Sequence, residues 1–131
     1  MPREIIQPTG VHSTAGVGYS HVARAGNTLY LAGQIALDPG GILVGKGDVG
    51  VQTRQVYTNL RTILEELGGS FSDIVKMTTY LTDREHLDAF RRVRNEMFQA
   101  PFPPNTLLFV NGLAHPDYLV EIEAIAVVER L

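Results

Sequence analysis

Asp48-Val49-Gly50-Val51-Gln52-Thr53-Arg54-Gln55-Val56-Tyr57-Thr58-Asn59-Leu60-Arg61-Thr62-Ile63-Leu64-Glu65-Glu66-Leu67-Gly68-Gly69 is the stretch whose reading decides the fold. Val49, Val56, Leu60, Ile63, Leu64 and Leu67 recur at helical spacing, so one face of a long helix is apolar. Asp48 has the side chain of an N-cap, and Gly68-Gly69 stops the helix. Everything on either side of this helix reads as shorter elements punctuated by glycine and proline.

Upstream, residues 3–7 form a candidate short strand. Residues 19–25 alternate loosely, Gly26-Asn27 turns the chain, and Thr28 to Ala32 completes a hairpin. Gly33 to Asp48, with Pro39-Gly40-Gly41, reads as loop or ragged hairpin. Downstream, Ile74 to Leu81 is rich in β-branched and aromatic residues and predicts a strand. Thr82 or Asp83 then caps a second helix with Leu87, Phe90, Val93, Met97 and Phe98 on one face, ended by Pro101, Pro103 and Pro104. Thr106 to Val110 is a further strand. Asn111-Gly112 and His115-Pro116-Asp117 make a loop, and Leu119 to Val128 closes the chain as a long apolar strand with Glu121 and Glu123 on one face. The order β, β, β, α, β, α, β, β predicts an α+β domain, a mixed sheet with both helices packed on one side. An apolar sheet face crossed by one acidic row is a candidate for self-association.

The chain has 131 residues, which fits one domain spanning 1–131. Its formal net charge is −3, which gives no general attraction to phosphate backbones, so nucleic acid is not an expected partner. Cysteine is absent, which excludes disulfides, thiolate metal sites and cysteine nucleophiles. Met1-Pro2-Arg3-Glu4 leads into no signal-peptide core, and no apolar run approaches the roughly 20 residues of a membrane span. The expectation is a cytoplasmic protein. The four histidines, His12, His21, His86 and His115, show no zinc spacing. No serine sits in a Gly-x-Ser-x-Gly context, and the glycines of 40–50 lack the Gly-Lys-Ser/Thr ending of a P-loop.

Several segments, in order, carry a resemblance. Tyr19-Ser20 stands before a strand, and Leu31-Ala32-Gly33-Gln34-Ile35 is similar to a Ser-Gly-Gln-Ile segment. Gln52-Thr53-Arg54-Gln55-Val56 with Asn59-Leu60 matches a first helix, and Val75 to Asp83 a central strand. Pro103-Pro104-Asn105-Thr106 stands at a Pro-Ala-Arg-Ser position. Val120-Glu121-Ile122-Glu123-Ala124-Ile125-Ala126 matches a C-terminal signature without a gap. Over residues 17–128 the chain resembles the Rid (reactive intermediate deaminase) family, also labelled endoribonuclease L-PSP. The resemblance implies a chorismate-mutase-like α+β fold and a homotrimer with clefts between subunits. It also implies hydrolysis of reactive enamine or imine acids to a 2-keto acid and ammonia, with no metal or organic cofactor.

Carried over residue by residue, Glu121 takes the place of the catalytic glutamate that orients water. Tyr19 takes that of the tyrosine closing the cleft, and Gly33 that of a glycine at the ligand. Ala32 replaces a serine hydroxyl, and Leu107 stands where many members have cysteine. Asn105 replaces the arginine that binds the substrate carboxylate, so a neutral amide stands where a guanidinium fork is expected. Arg91 is the residue expected to supply the missing charge from across the cleft. Asn105 also reads as a turn residue after two prolines, and Arg91, Arg92 and Arg94 as a solvated helix face. Three functions follow as alternatives: an enamine or imine hydrolase with altered substrate, a trimer that binds a small carboxylate without chemistry, and an endoribonuclease or translation inhibitor. The acidic charge and the absence of a basic stripe weigh against the last.

Overall fold

The structure, a computed structural model, describes residues 3–129. Six strands, β1 (Glu4–Ile6), β2 (Val22–Ala25), β3 (Thr28–Gln34), β4 (Ile74–Leu81), β5 (Asn105–Phe109) and β6 (Val120–Val127), form one sheet in the order β1-β2-β3-β6-β4-β5. The β4–β5 pair is parallel and the others antiparallel. Two helices, α1 (Val49–Glu66) and α2 (Leu87–Met97), complete the mixed α+β architecture.

The α1 expectation holds in detail. The Asp48 carboxylate accepts the Val51 N–H at 3.1 Å. At the other end Gly68 adopts φ 82°, a left-handed conformation that glycine reaches without a Cβ penalty. Gly69 N–H then donates to the Leu64 carbonyl at 2.8 Å. The buried stripe Val49, Val56, Leu60, Ile63 and Leu64 lies against β3 and β6, and α2 packs beside it.

Of three buried polar residues on the inner side of α1, two tie down loops and one bonds within the helix. Gln52 donates to the carbonyls of Gly45 and Asp117 and accepts from Leu119 N–H. Asn59 donates to the carbonyls of Ile35 and Leu37. Thr53 bonds back to Val49. Buried polar groups must be paired, so Gln52 and Asn59 set the path of the loop between β3 and α1, and Gln52 that of the loop between β5 and β6.

Several boundaries differ from the sequence reading. Tyr19 to His21 precede β2 rather than belonging to it, because the Gln7 side chain takes the His21 N–H. β3 runs to Gln34, two residues past Ala32, because β6 continues to pair with it across an irregularity between Leu31 and Gln34. Asp83 caps a short 3₁₀ turn, Arg84–His86, that leads into α2. β5 begins at Asn105 rather than Thr106. No helix among the described residues is long and apolar enough to cross a membrane.

The sheet has two unlike faces. Leu29, Leu31, Ile74, Met77, Thr79, Leu81, Val120, Ile122, Ala124 and Ala126 are buried on the helix side. Ile5, Tyr30 and Leu108 are exposed, and with Glu121, Glu123, Tyr80 and Lys76 they occupy the side without helices. On that side Tyr80 donates its hydroxyl to Glu123 at 2.8 Å, a bond that pushes the phenol's pKa up.

Candidate functional site

Of the residues expected to act together, Tyr19, Ala32, Gly33 and Glu121 line one cavity and Asn105 lines another on the opposite face of the sheet. Glu121 pairs with Tyr80 and shares its open face. Asn105 pairs with Met77 and shares the helix side.

On the open face, Tyr19, Ala32, Gly33, Ile35, Ala114 and Glu121 line a cavity of about 190 Å³. Glu121 lies directly over Gly33. A methyl group built on Gly33 would overlap the carboxylate and lie 2.8 Å from its Cδ and 2.9 Å from its Cγ. Glycine is required here because the glutamate occupies the space a side chain would need. Burial first, and the neighbouring Glu123 charge second, raise the Glu121 carboxyl above its ordinary pKa. Burial and the Glu121 charge likewise raise the Tyr19 hydroxyl, which therefore stays a donor at neutral pH.

The backbone of this cavity is held from behind. Gln34 donates its amide to His21 Nδ1 at 3.0 Å and to the Ala32 carbonyl at 3.2 Å. His21 Nε2 donates to the His12 carbonyl at 2.7 Å, which assigns the ring hydrogen to Nε2. Gln34 and His21 are both buried, so the Ala32-Gly33 turn is set by a polar network beneath it. Neither His21 nor the part of Gln34 was singled out by sequence. The residue types suit a core network, but only the strand irregularity shows what the network holds.

On the helix side, Tyr57, Met77, Arg94, Phe98, Phe102, Pro103 and Asn105 line a cavity of about 350 Å³. Asn105 Oδ1 accepts from the Thr79 hydroxyl at 2.9 Å. In this arrangement the amide's NH₂ makes no hydrogen bond to another of the described residues. Leu107, two residues along β5, packs against the hydrophobic core on the same side. Arg91 is exposed on α2 and lines neither cavity, whereas Arg94, one turn later, lines the Asn105 cavity. The useful signal for Arg94 was its i+4 relation to Phe90 and i−4 relation to Phe98, which puts it on the flank of the buried stripe.

Glu121 gives a test independent of any activity. Its carboxyl holds its proton more tightly folded than unfolded, so the ionised form weighs against folding. That penalty is absent below the ordinary carboxylate range and grows as pH rises through the raised value. Glu121→Gln is therefore expected to melt higher than the native chain at neutral pH, by less than about 5 °C, with the margin closing in acid. A variant that melts lower at neutral pH would show a net favourable role for the charge.

Comparison with known proteins agrees with this architecture. The family model described as endoribonuclease L-PSP matches residues 10–128. A RutC family protein of Pyrococcus horikoshii is 43% identical over 108 residues, covering 82% of this chain and 85% of the relative. A 2-iminobutanoate/2-iminopropanoate deaminase of Dermatophagoides farinae is 33% identical over 111 residues, covering 85% and 86%. The crystal structure of RidA from the Antarctic bacterium Psychrobacter sp. superposes with a TM-score of 0.87 at 31% identity, covering 95% of this chain and 99% of that one. The match across almost the whole domain, in sequence and in fold, places this chain in the Rid (endoribonuclease L-PSP) family.

Proposed function

We propose that this protein hydrolyses a small 2-imino acid, or the enamine that tautomerises to it, in clefts formed between the subunits of a homotrimer. The observation that carries the reading is the Glu121 carboxylate, half-buried over Gly33 beside Tyr19, with its pKa raised by burial. In the reaction, water oxygen bonds to the imine carbon while one water proton passes to Glu121, which delivers it to nitrogen to give the carbinolamine. Glu121 then takes the carbinolamine hydroxyl proton and passes it to nitrogen as the C=O bond forms and the C–N bond breaks, so that ammonia and a 2-keto acid leave. A half-buried carboxyl whose pKa is raised above its ordinary value suits both transfers. The deaminase relative supports this choice of reaction by its name.

The division of the site across the sheet supports the trimer. Within one chain the Glu121 cavity and the Asn105 cavity face opposite ways, so a complete cleft needs one from each of two subunits. The exposed apolar side chains Ile5, Tyr30 and Leu108 on the helix-free face suit burial against a second copy.

The test is a coupled assay in which a threonine dehydratase generates the enamine in place and 2-keto acid release is followed. The native protein is expected to accelerate release, and Glu121→Gln to lose that acceleration by about 100-fold or more. Equal rates with and without the native protein would remove the catalytic reading. Asn105 favours the second reading, a trimer that binds a small carboxylate without turning it over, because it lacks the charge of the expected arginine. Silence in this assay together with carboxylate binding would select that reading. Ribonuclease action has less support, since a net charge of −3 and an open face bearing Glu121 and Glu123 offer RNA little grip.

A further inference from the structure

We infer that Arg94 and the Asn105 amide together form the carboxylate anchor of this site, and that the ligand is a monocarboxylate with a flat apolar side group. The inference rests on the proposed Rid-type cleft and names the ligand class that one half of it selects.

Three observations carry it. First, Arg94 lines the Asn105 cavity, and among the described residues no carboxylate pairs with it. Its Nε and Nη2 reach only the neutral Asn95 Oδ1, at 3.3 and 3.1 Å. The guanidinium stands over the Phe102 ring, 5.7 Å from its centroid, a placement that orients the fork without neutralising it. Second, Asn105 lines the same cavity and, with the Thr79 hydroxyl donating to its Oδ1, keeps its NH₂ free to donate to a ligand. A cation beside a neutral amide donor matches one carboxylate. A phosphate dianion calls for more donors and more charge. Third, the remaining walls are Tyr57, Phe98 and Phe102 with Met77 and Pro103. A cavity of about 350 Å³ with this lining is of small-ligand size and complements an apolar, planar body. Arg91, which the sequence offered as the substitute cation, is solvated outside this cavity.

Binding of phenylacetate, phenylacetamide and acetate to the full chain is measured by calorimetry at low salt, without turnover. Phenylacetate is expected to bind at least about tenfold more tightly than the uncharged amide, and more tightly than acetate. Arg94→Gln is expected to erase the acid-over-amide preference, Arg94→Lys to restore part of it, and Arg91→Gln to leave it unchanged. Asn105→Asp, at an exposed position that spares the core, is expected to repel phenylacetate by a similar factor should Arg94→Gln fold poorly. No binding of phenylacetate, equal binding of acid and amide, or a loss in Arg91→Gln that Arg94→Gln does not share would each overturn the assignment. Failure of the dehydratase-coupled assay with this binding pattern intact removes catalysis and leaves the anchor. Turnover with no Arg94 dependence of binding removes the anchor and leaves catalysis.

Discussion

Gly33→Ala is expected to leave the fold standing and to lower keto-acid release by about 100-fold or more. The new methyl group would occupy the position of the Glu121 carboxylate, with Cδ and Cγ also inside contact distance. The backbone around Gly33 is held by Gln34 and its bonds to His21 and Ala32, so it does not yield easily. The atoms that move are those of the Glu121 side chain, which can swing toward open solvent at little cost. Displacing a proton-handling group by about an ångström is enough to cost two orders of magnitude in rate. The change in stability should stay within about 1 kcal/mol, because no buried apolar contact is lost. Denaturant unfolding and the coupled assay, run on the same preparation, separate the two effects. Full activity in Gly33→Ala would show that the carboxylate position in this structure is not the reacting one.

Phe90→Ala is expected to have the opposite profile, with its main effect on stability. Phe90 is fully buried at the contact between the helices, its ring 6.1 Å from Tyr57. Tyr57 meets Phe98 at 4.9 Å, and Phe98 stacks on Phe71 at 4.2 Å, so four rings form one cluster. Removing Phe90 forfeits its transfer free energy and leaves a cavity that rings on two helices cannot collapse to fill. The cost expected for such a deletion is about 3–5 kcal/mol. Against a typical total of about 5–15 kcal/mol this is a large share, and it appears as a lower unfolding midpoint with unchanged slope. A loss below about 1 kcal/mol would mean that α2 shifts onto α1 to close the gap. Tyr57 and Phe98 also wall the Arg94 cavity, so the same substitution should loosen phenylacetate binding.

How far the sequence could be read differs between elements for physical reasons. α1 was legible from end to end because its periodicity, its Asp48 cap and its Gly68 stop are local signals that agree. β6 was legible as a strand because its alternation is regular, and the same alternation placed Glu121 and Glu123 on one face. Alternation alone drew Tyr19 into the strand, whereas the family resemblance set Tyr19-Ser20 before it; the competing bond from Gln7 comes from 14 residues before His21 and leaves no trace in the local pattern.

The candidate site shows the same divide. Matching segments in order, above all Val120 to Ala126, were enough to name a family, and residue identities at 32, 105 and 107 marked where the chain departs from it. Gly33 was marked as a point of close approach, but what approaches it, the Glu121 side chain, depends on β3 and β6 pairing across an irregularity. The choice among Arg91, Arg92 and Arg94 depended on how α2 is rotated by Phe90 and Val93, and on where Phe98 to Pro104 lead the chain afterward.

The sequence by itself therefore determined the element types, their order, the family and the chemical inventory, since these rest on local periodicity and on residue identity. Only the tertiary structure decided that Glu121 and Asn105 face opposite sides of one sheet, and that Arg94 lines the same cavity as Asn105 within one chain. Those outcomes rest on strand register and helix rotation, which are set by contacts between residues far apart in the chain.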